Sequence, residues 1–141
     1  MAANADGKPL RKDPAGTLTC SGVKARPLVA GEKLFTDRDY IASTLPPLLT
    51  GADFLPVAMN GQKTLTVERP GTVYFLTPVP DHNRDTAAQP LMDQGFEKVA
   101  LPEAPLFHPD SPANFCTLFQ KDCTVGETIL FGKWAVPVFF P

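Results

Sequence analysis

The chain has 141 residues, a formal net charge of −2 and a composition that is 43% hydrophobic and 20% charged. That length suits one domain with a single core, and the slight acidity, with no Lys/Arg cluster beyond Arg11-Lys12, excludes the phosphate-neutralising footprint of a nucleic-acid binder. No apolar run approaches the ~20 residues of a membrane span, and sixteen prolines with ten glycines leave no room for long helices.

Residues 1–16 are polar and rich in Pro, Gly, Asp and Lys, and predict a flexible N-terminal arm ahead of a single domain over 17–141. Met1 to Lys8 lacks the charged start and apolar core of a signal peptide, which leaves either an intracellular protein or the mature part of an exported one. From Thr17, Leu18 and Cys20 alternate with threonine and serine, the pattern of an edge strand that Gly22 and Pro27 interrupt. Gly31 to Gly51 is the most distinctive stretch. There Asp37-Arg38-Asp39-Tyr40 sets two carboxylates beside a guanidinium and a phenol, and an Arg between two Asp suits a bidentate ion pair tying a strand end to a neighbouring loop. A sugar-binding or acid/base role is the other reading of the same residues. Pro46-Pro47 excludes helix for the residues before it.

Asp53 to Thr77 predicts a three-stranded antiparallel meander. Asn60-Gly61 fits a type I′ hairpin and Pro70-Gly71 a type II reversal, because these residues supply the backbone angles such turns need. Leu65 and Val67 alternate with Thr64, Thr66 and Glu68, so that strand has one wet face. Val73 to Leu76 is apolar on both faces and belongs at the centre of a sheet.

Val79 to Gly95 is a loop of about seventeen residues, long for a compact β domain. Asp81, His82, Asn83, Arg84 and Asp85 concentrate polar chemistry there and form the candidate ligand-binding set, with a solvated loop tip as the alternative. Phe96 to Leu101 predicts another strand, and Pro102 to Pro112 a connection holding His108. Phe115–Phe119, Thr128–Phe131 and Trp134–Phe140 are rich in aromatic and β-branched residues and complete the β pattern. Trp134 is expected in the core. The apolar close, Val136 to Phe140, must pair with the domain or with a partner.

Three cysteines make an odd number. Cys116 and Cys123 flank a short span able to bend back and are the candidate disulfide, which leaves Cys20 for an intermolecular bond or a thiol. The alternative is that all three are small buried hydrophobes. CxxC spacing is absent, so the cysteines are not expected to hold a metal; His82 with Asp81 or Asp85 could bind a metal or a ligand, but no metal site is assigned.

The pattern K-L-F-T-D-R-D-Y (Lys33–Tyr40), then L-P-P-L-L-T-G-A (Leu45–Ala52), then V-Y-F (Val73–Phe75), resembles a β-sandwich accessory module of secreted bacterial proteins, often attached to polysaccharide lyases and glycosidases. Phe119, Lys121, Gly126, Leu130 and Gly132 resemble its tail, so the similarity spans about residues 31 to 132. The family pattern continues V-Y-V-A-Y-D where this chain has Thr77-Pro78 after Leu76. It has P-x-W-L where this chain has Gln89-Pro90-Leu91-Met92, so the family's tryptophan, and any sugar contact it makes there, is missing here. The resemblance implies a secreted, non-catalytic module.

The fold expected is all-β, an antiparallel, jelly-roll-like β-sandwich with little or no helix. With no nucleophile elbow, HExxH or Gly-rich phosphate loop, no catalysis and no cofactor are expected. Two functions lead: an extracellular module that binds carbohydrate or anchors a larger assembly, or a self-assembling filament subunit joined through strand-like termini; an enzyme using the Asp81–Asp85 loop is the third and least favoured reading. The partners would be polysaccharide or other copies of the chain.

Overall fold

The computed structural model describes residues 10–11, 18–20, 23–79, 86–99, 105–108, 111 and 114–140. Its strands are β1 (Leu18–Thr19), β2 (Arg26–Pro27), β3 (Ile41–Ala42), β4 (Asp53–Phe54), β5 (Lys63–Val67), β6 (Gly71–Pro78), β7 (Glu97–Val99), β8 (Phe107–His108), β9 (Cys116–Cys123), β10 (Thr128–Phe131) and β11 (Val136–Phe139), joined by one short helix, α1 (Ala88–Asp93), and a 3-10 turn at Pro47–Leu49. Three antiparallel sheets result, ordered β1-β5-β10, β2-β4-β11-β6-β9-β7 and β3-β8. The all-β sandwich is therefore the fold. Among the described residues no helix is long and apolar enough to cross a membrane.

β6 lies inside the six-stranded sheet between β11 and β9, and Thr72 to Pro78 are all buried. Because side chains alternate along a strand, this one strand serves two cores. Val73 and Phe75 pack with Leu65, Val67, Ile129 and Phe131 of the three-stranded sheet and with Leu91 of α1. Tyr74 and Leu76 pack on the other face with Phe35, Phe54, Phe107 and Trp134. Burying an aromatic or large aliphatic side chain contributes about 1.5–3 kcal/mol, so both faces hold the sheet.

The expected meander does not form. β4 pairs with β2 and β11, β5 with β1 and β10, and β6 with β9 and β11. Asn60-Gly61 and Pro70-Gly71 are instead corners where the chain crosses between sheets. The turn residues specify a local reversal. Burial decides which strands meet: Leu65 and Val67 on β5 and Val73 and Phe75 on β6 face one another across a shared core, which sheets can achieve only face to face.

Two further expectations change. The 79–95 loop contains α1, whose Ala88 and Leu91 are buried. Pro90 is tolerated because a proline in the first turn forfeits no intrahelical hydrogen bond. The helix start is held from β6, where Thr77 Oγ1 accepts the Ala87 N–H at 2.8 Å. Its end is released by Gly95 at φ 97°, a conformation that favours glycine. At the other chain end, β11 is an internal strand between β4 and β6, so the apolar C-terminal segment pairs within its own domain and does not offer an edge to a neighbour.

Of the predicted arm, Leu10 and Arg11 are docked. Leu10 packs against the second core, while Arg11 reaches Asp122 at 3.1 Å and Glu97 at 3.5 Å and donates its backbone N–H to Gln120 Oε1 at 3.2 Å.

Candidate functional site

The Asp37–Tyr40 element sits on the loop-covered face of the large sheet. The tie to a neighbouring loop exists, but Asp37 makes it and Arg38 does not. Asp37 Oδ1 accepts the Met59 N–H at 2.6 Å and Oδ2 the Asn60 N–H at 3.4 Å. These backbone donors, Met59 first, hold its carboxyl below the ordinary carboxylate range. Arg38 folds back to donate to the Asp37 carbonyl at 2.7 Å, and Asp39 is exposed, meeting only Lys33 at 3.9 Å among the ion pairs described. Arg38 Nη1 also lies 3.9 Å from Asp37 Oδ2, a single long ion pair and not a bidentate one, while the Asp37 carboxylate holds a turn by its amides. An amide pair presented by a tight turn satisfies a carboxylate without the rotamer entropy that a long guanidinium side chain must lose.

The same turn is held from its other side by Lys63. Its Nζ donates to the carbonyls of Ala58 at 2.7 Å, Gly61 at 2.8 Å and Asn60 at 3.3 Å, and lies 5.4 Å from the Phe131 ring centroid. Burial pushes its pKa below the ordinary lysine value, against the pull of Asp37. One signal for this role lay in the sequence: Lys63 occupies the same strand phase as Leu65 and Val67, a position the alternation marks as inward. Tyr40 packs on Trp134 at 4.7 Å between ring centroids, and Trp134 stacks on Phe107 at 5.6 Å and 8° and meets Phe35 edge-on at 5.7 Å. Trp134 is 5% exposed, so it is core, as expected, and no sugar platform.

The proposed Cys116–Cys123 disulfide is excluded by the strand between them. Both lie on β9, whose register runs straight from Cys116 opposite Pro78 to Cys123 opposite Gly71. Seven residues of extended chain span about 23 Å, whereas a disulfide needs Cα atoms roughly 4.4–6.8 Å apart. None of the three cysteines is in a disulfide. Burial pushes the Cys116 thiol up, and burial with the neighbouring Glu127 pushes Cys123 up to about 12, so neither is a poised nucleophile. Cys20 is half-buried against the inter-sheet core.

Beside Cys123, Glu127 accepts from Lys121 Nζ at 2.8 Å and from the Thr124 N–H at 3.1 Å. The Lys121 bond first, then the Thr124 amide, hold its pKa below the usual glutamate value. This ion pair closes the turn between β9 and β10 and was not anticipated. A cleft of about 230 Å³ opens between Leu28–Ala30 and Leu45–Gly51 and is mostly apolar. Asp81, His82, Asn83, Arg84 and Asp85 lie outside the described residues. Among the described residues no group of three or more His, Cys, Asp or Glu could hold a metal ion.

No family model matches the sequence, and no curated protein matches it. Solved structures do. A GH138 enzyme targeting pectin rhamnogalacturonan II superposes with a TM-score of 0.60 over 97% of this chain at 12% identity, the match covering 17% of that enzyme. A β-glucuronidase from glycoside hydrolase family 2 superposes with a TM-score of 0.55 over 93% of this chain at 13% identity, the match covering 15% of it. The chain therefore spans less than a fifth of the length of either protein. At such identities the likeness is one of fold, a β-sandwich carried within much longer glycoside hydrolase chains.

Proposed function

We propose that this chain is a non-catalytic, extracellular β-sandwich module that serves carbohydrate-processing machinery by binding or anchoring to polysaccharide. The observation that carries the reading is the superposition of nearly the whole chain, 97%, on 17% of a pectin-directed glycoside hydrolase. On this reading the module contributes a binding surface, while catalysis needs a constellation of acid, base or nucleophile in a cleft. Two of the described acidic residues serve the scaffold: Asp37 and Glu127 each hold a turn. Sugar contacts on this reading fall to the Asp81–Asp85 stretch, where carboxylates accept from hydroxyls and Arg84 pairs with an acidic sugar.

Affinity electrophoresis through gels containing pectic or neutral polysaccharide tests this. The protein should be retarded by the acidic polymer, and Arg84→Ala with His82→Ala should restore its mobility. Unretarded migration in every gel would sink the binding role, and release of new reducing ends by the purified chain would sink the non-catalytic one.

A further inference from the structure

β2 and β7 bound the six-stranded sheet, and β1 and β10 bound the three-stranded one. An exposed strand edge invites pairing with another chain unless it is short, charged, interrupted by proline or covered. β2 is Arg26–Pro27, β7 carries Glu97 and Lys98, and β1 has 2 residues. β10, Thr-Ile-Leu-Phe, has neither charge nor proline. Its Ile129 and Phe131 are buried, while Leu130 stands 46% exposed, and Met92 of the adjoining α1 is 43% exposed.

The β10 edge is nevertheless occupied. Gln94, at the C-terminal end of α1, accepts the Leu130 N–H on Oε1 at 2.9 Å and donates from Nε2 to the Leu130 carbonyl at 2.6 Å. The remaining amide hydrogen goes to the Pro90 carbonyl at 3.0 Å. A primary amide offers the same donor and acceptor as a peptide unit, and exchanging both bonds with one residue is what a partner residue on an added antiparallel strand does.

We propose that Gln94 is a lock that closes the β10 edge against pairing with β10 of a second copy of this chain. Without it, two β10 edges meet antiparallel about a two-fold axis, each covering the other's Leu130 and Met92, an isologous contact. This inference stands apart from the polysaccharide reading. It bears on the self-assembly alternative, since among the described edges of the two larger sheets the one without charge or proline is the one the fold plugs.

Light scattering on a size-exclusion column tests it with wild type, Gln94→Ala and the double variant Gln94→Ala/Leu130→Lys. Wild type should run as a monomer, Gln94→Ala should shift with concentration towards twice that mass, and the lysine, a charge on the bared edge, should return the double variant to a monomer. A folded Gln94→Ala that stays monomeric at every concentration overturns the lock. A double variant that still associates also overturns it, because the contact would then lie away from β10. If Gln94→Ala does not fold, amide exchange of the wild type decides: slow exchange at Leu130 supports the lock, and exchange there as fast as an unbonded edge amide refutes it.

Discussion

The two faces of the six-stranded sheet are buried to a similar degree and covered in opposite ways. On one face the three-stranded sheet and α1 lie over Val73 and Phe75, so side chains meet in repeating rows. On the other, irregular chain from Leu28 to Leu49 and the two short strands β3 and β8 lie over Tyr74 and Leu76. That face has few ladder bonds to spread load. It relies on single anchors: Trp134 among Phe35, Tyr40 and Phe107, and Asp37 and Lys63 gripping the 58–61 turn from its two sides. Regular cover shares the burden among many residues, whereas irregular cover concentrates it in a few.

Large core deletions test that contrast most strongly. Phe75→Ala, on the sheet-covered face, should cost about 3–5 kcal/mol and lower amide protection throughout β5, β6 and β10. Trp134→Ala should cost a similar amount, with loss of protection centred on residues 33–42 and 105–108. A distinct signature attaches to Trp134, which sits at φ 60°, where an L side chain strains the backbone and glycine does not. Trp134→Gly should therefore be more stable than Trp134→Ala by about 1 kcal/mol. Urea unfolding measures both, and equal stabilities for the Gly and Ala variants would contradict a strained anchor. Next in size, Asp37→Ala leaves the Met59 and Asn60 amides without their carboxylate and should cost about 1–3 kcal/mol. Its effect on exchange should be confined to the 58–61 turn and the start of β5 that Lys63 ties to it, and spread into β10 would mean that the two faces are not separately held.

The same contrast explains what could be read before the fold was known. The regular face is legible: Leu65 and Val67 inward, Val73 to Leu76 central and an all-β sandwich overall all follow from alternation and composition. Partnering was not. Asn60-Gly61 and Pro70-Gly71 encode reversals, but whether a reversal returns a strand beside its predecessor or across a core depends on facing surfaces, which one sequence does not display. The irregular face was legible only in part. Asp37 stands out in the sequence, yet its partners are backbone amides of residues 59 and 60, and backbone groups leave no mark on sequence. Gln94 was invisible for the same reason, since it bonds the Leu130 main chain. The missed helix α1 is six residues long, too short for its periodicity to stand out beside Pro90.

The turn between β9 and β10 lets the electrostatic side of the contrast be measured. Glu127 has a folded pKa below its ordinary value of 4.5 because Lys121 and then the Thr124 amide favour its charged form. A group depressed on folding contributes stability that is present above the unfolded pKa and is lost as pH falls through the folded one. Wild type should therefore lose stability as pH drops below about 4.5, and Glu127→Gln should show a shallower acid limb, while costing about 1–2 kcal/mol at neutral pH. Asp37 acts with the same sign, so the limb should flatten only in part. Parallel acid limbs for wild type and Glu127→Gln would remove this turn from the account.

The smallest expected effect is also the cleanest. Cys116 and Cys123 stand at opposite ends of β9, one opposite Pro78 and the other opposite Gly71, and their side chains enter different cores, Cys116 beneath the irregular cover and Cys123 beneath the regular one. Thiol reductant should leave the unfolding midpoint unchanged, because no cross-link constrains the unfolded chain. Denatured protein should titrate three thiols, matching the three cysteines of the chain. Under native conditions Cys116 and Cys123 should resist alkylation, since burial disfavours the reactive thiolate. A midpoint lowered by reductant in a Cys20→Ser variant, which removes any bond through Cys20, would require β9 to fold back on itself, dismantling the pairing with β6 and merging the two faces that the strand now keeps apart.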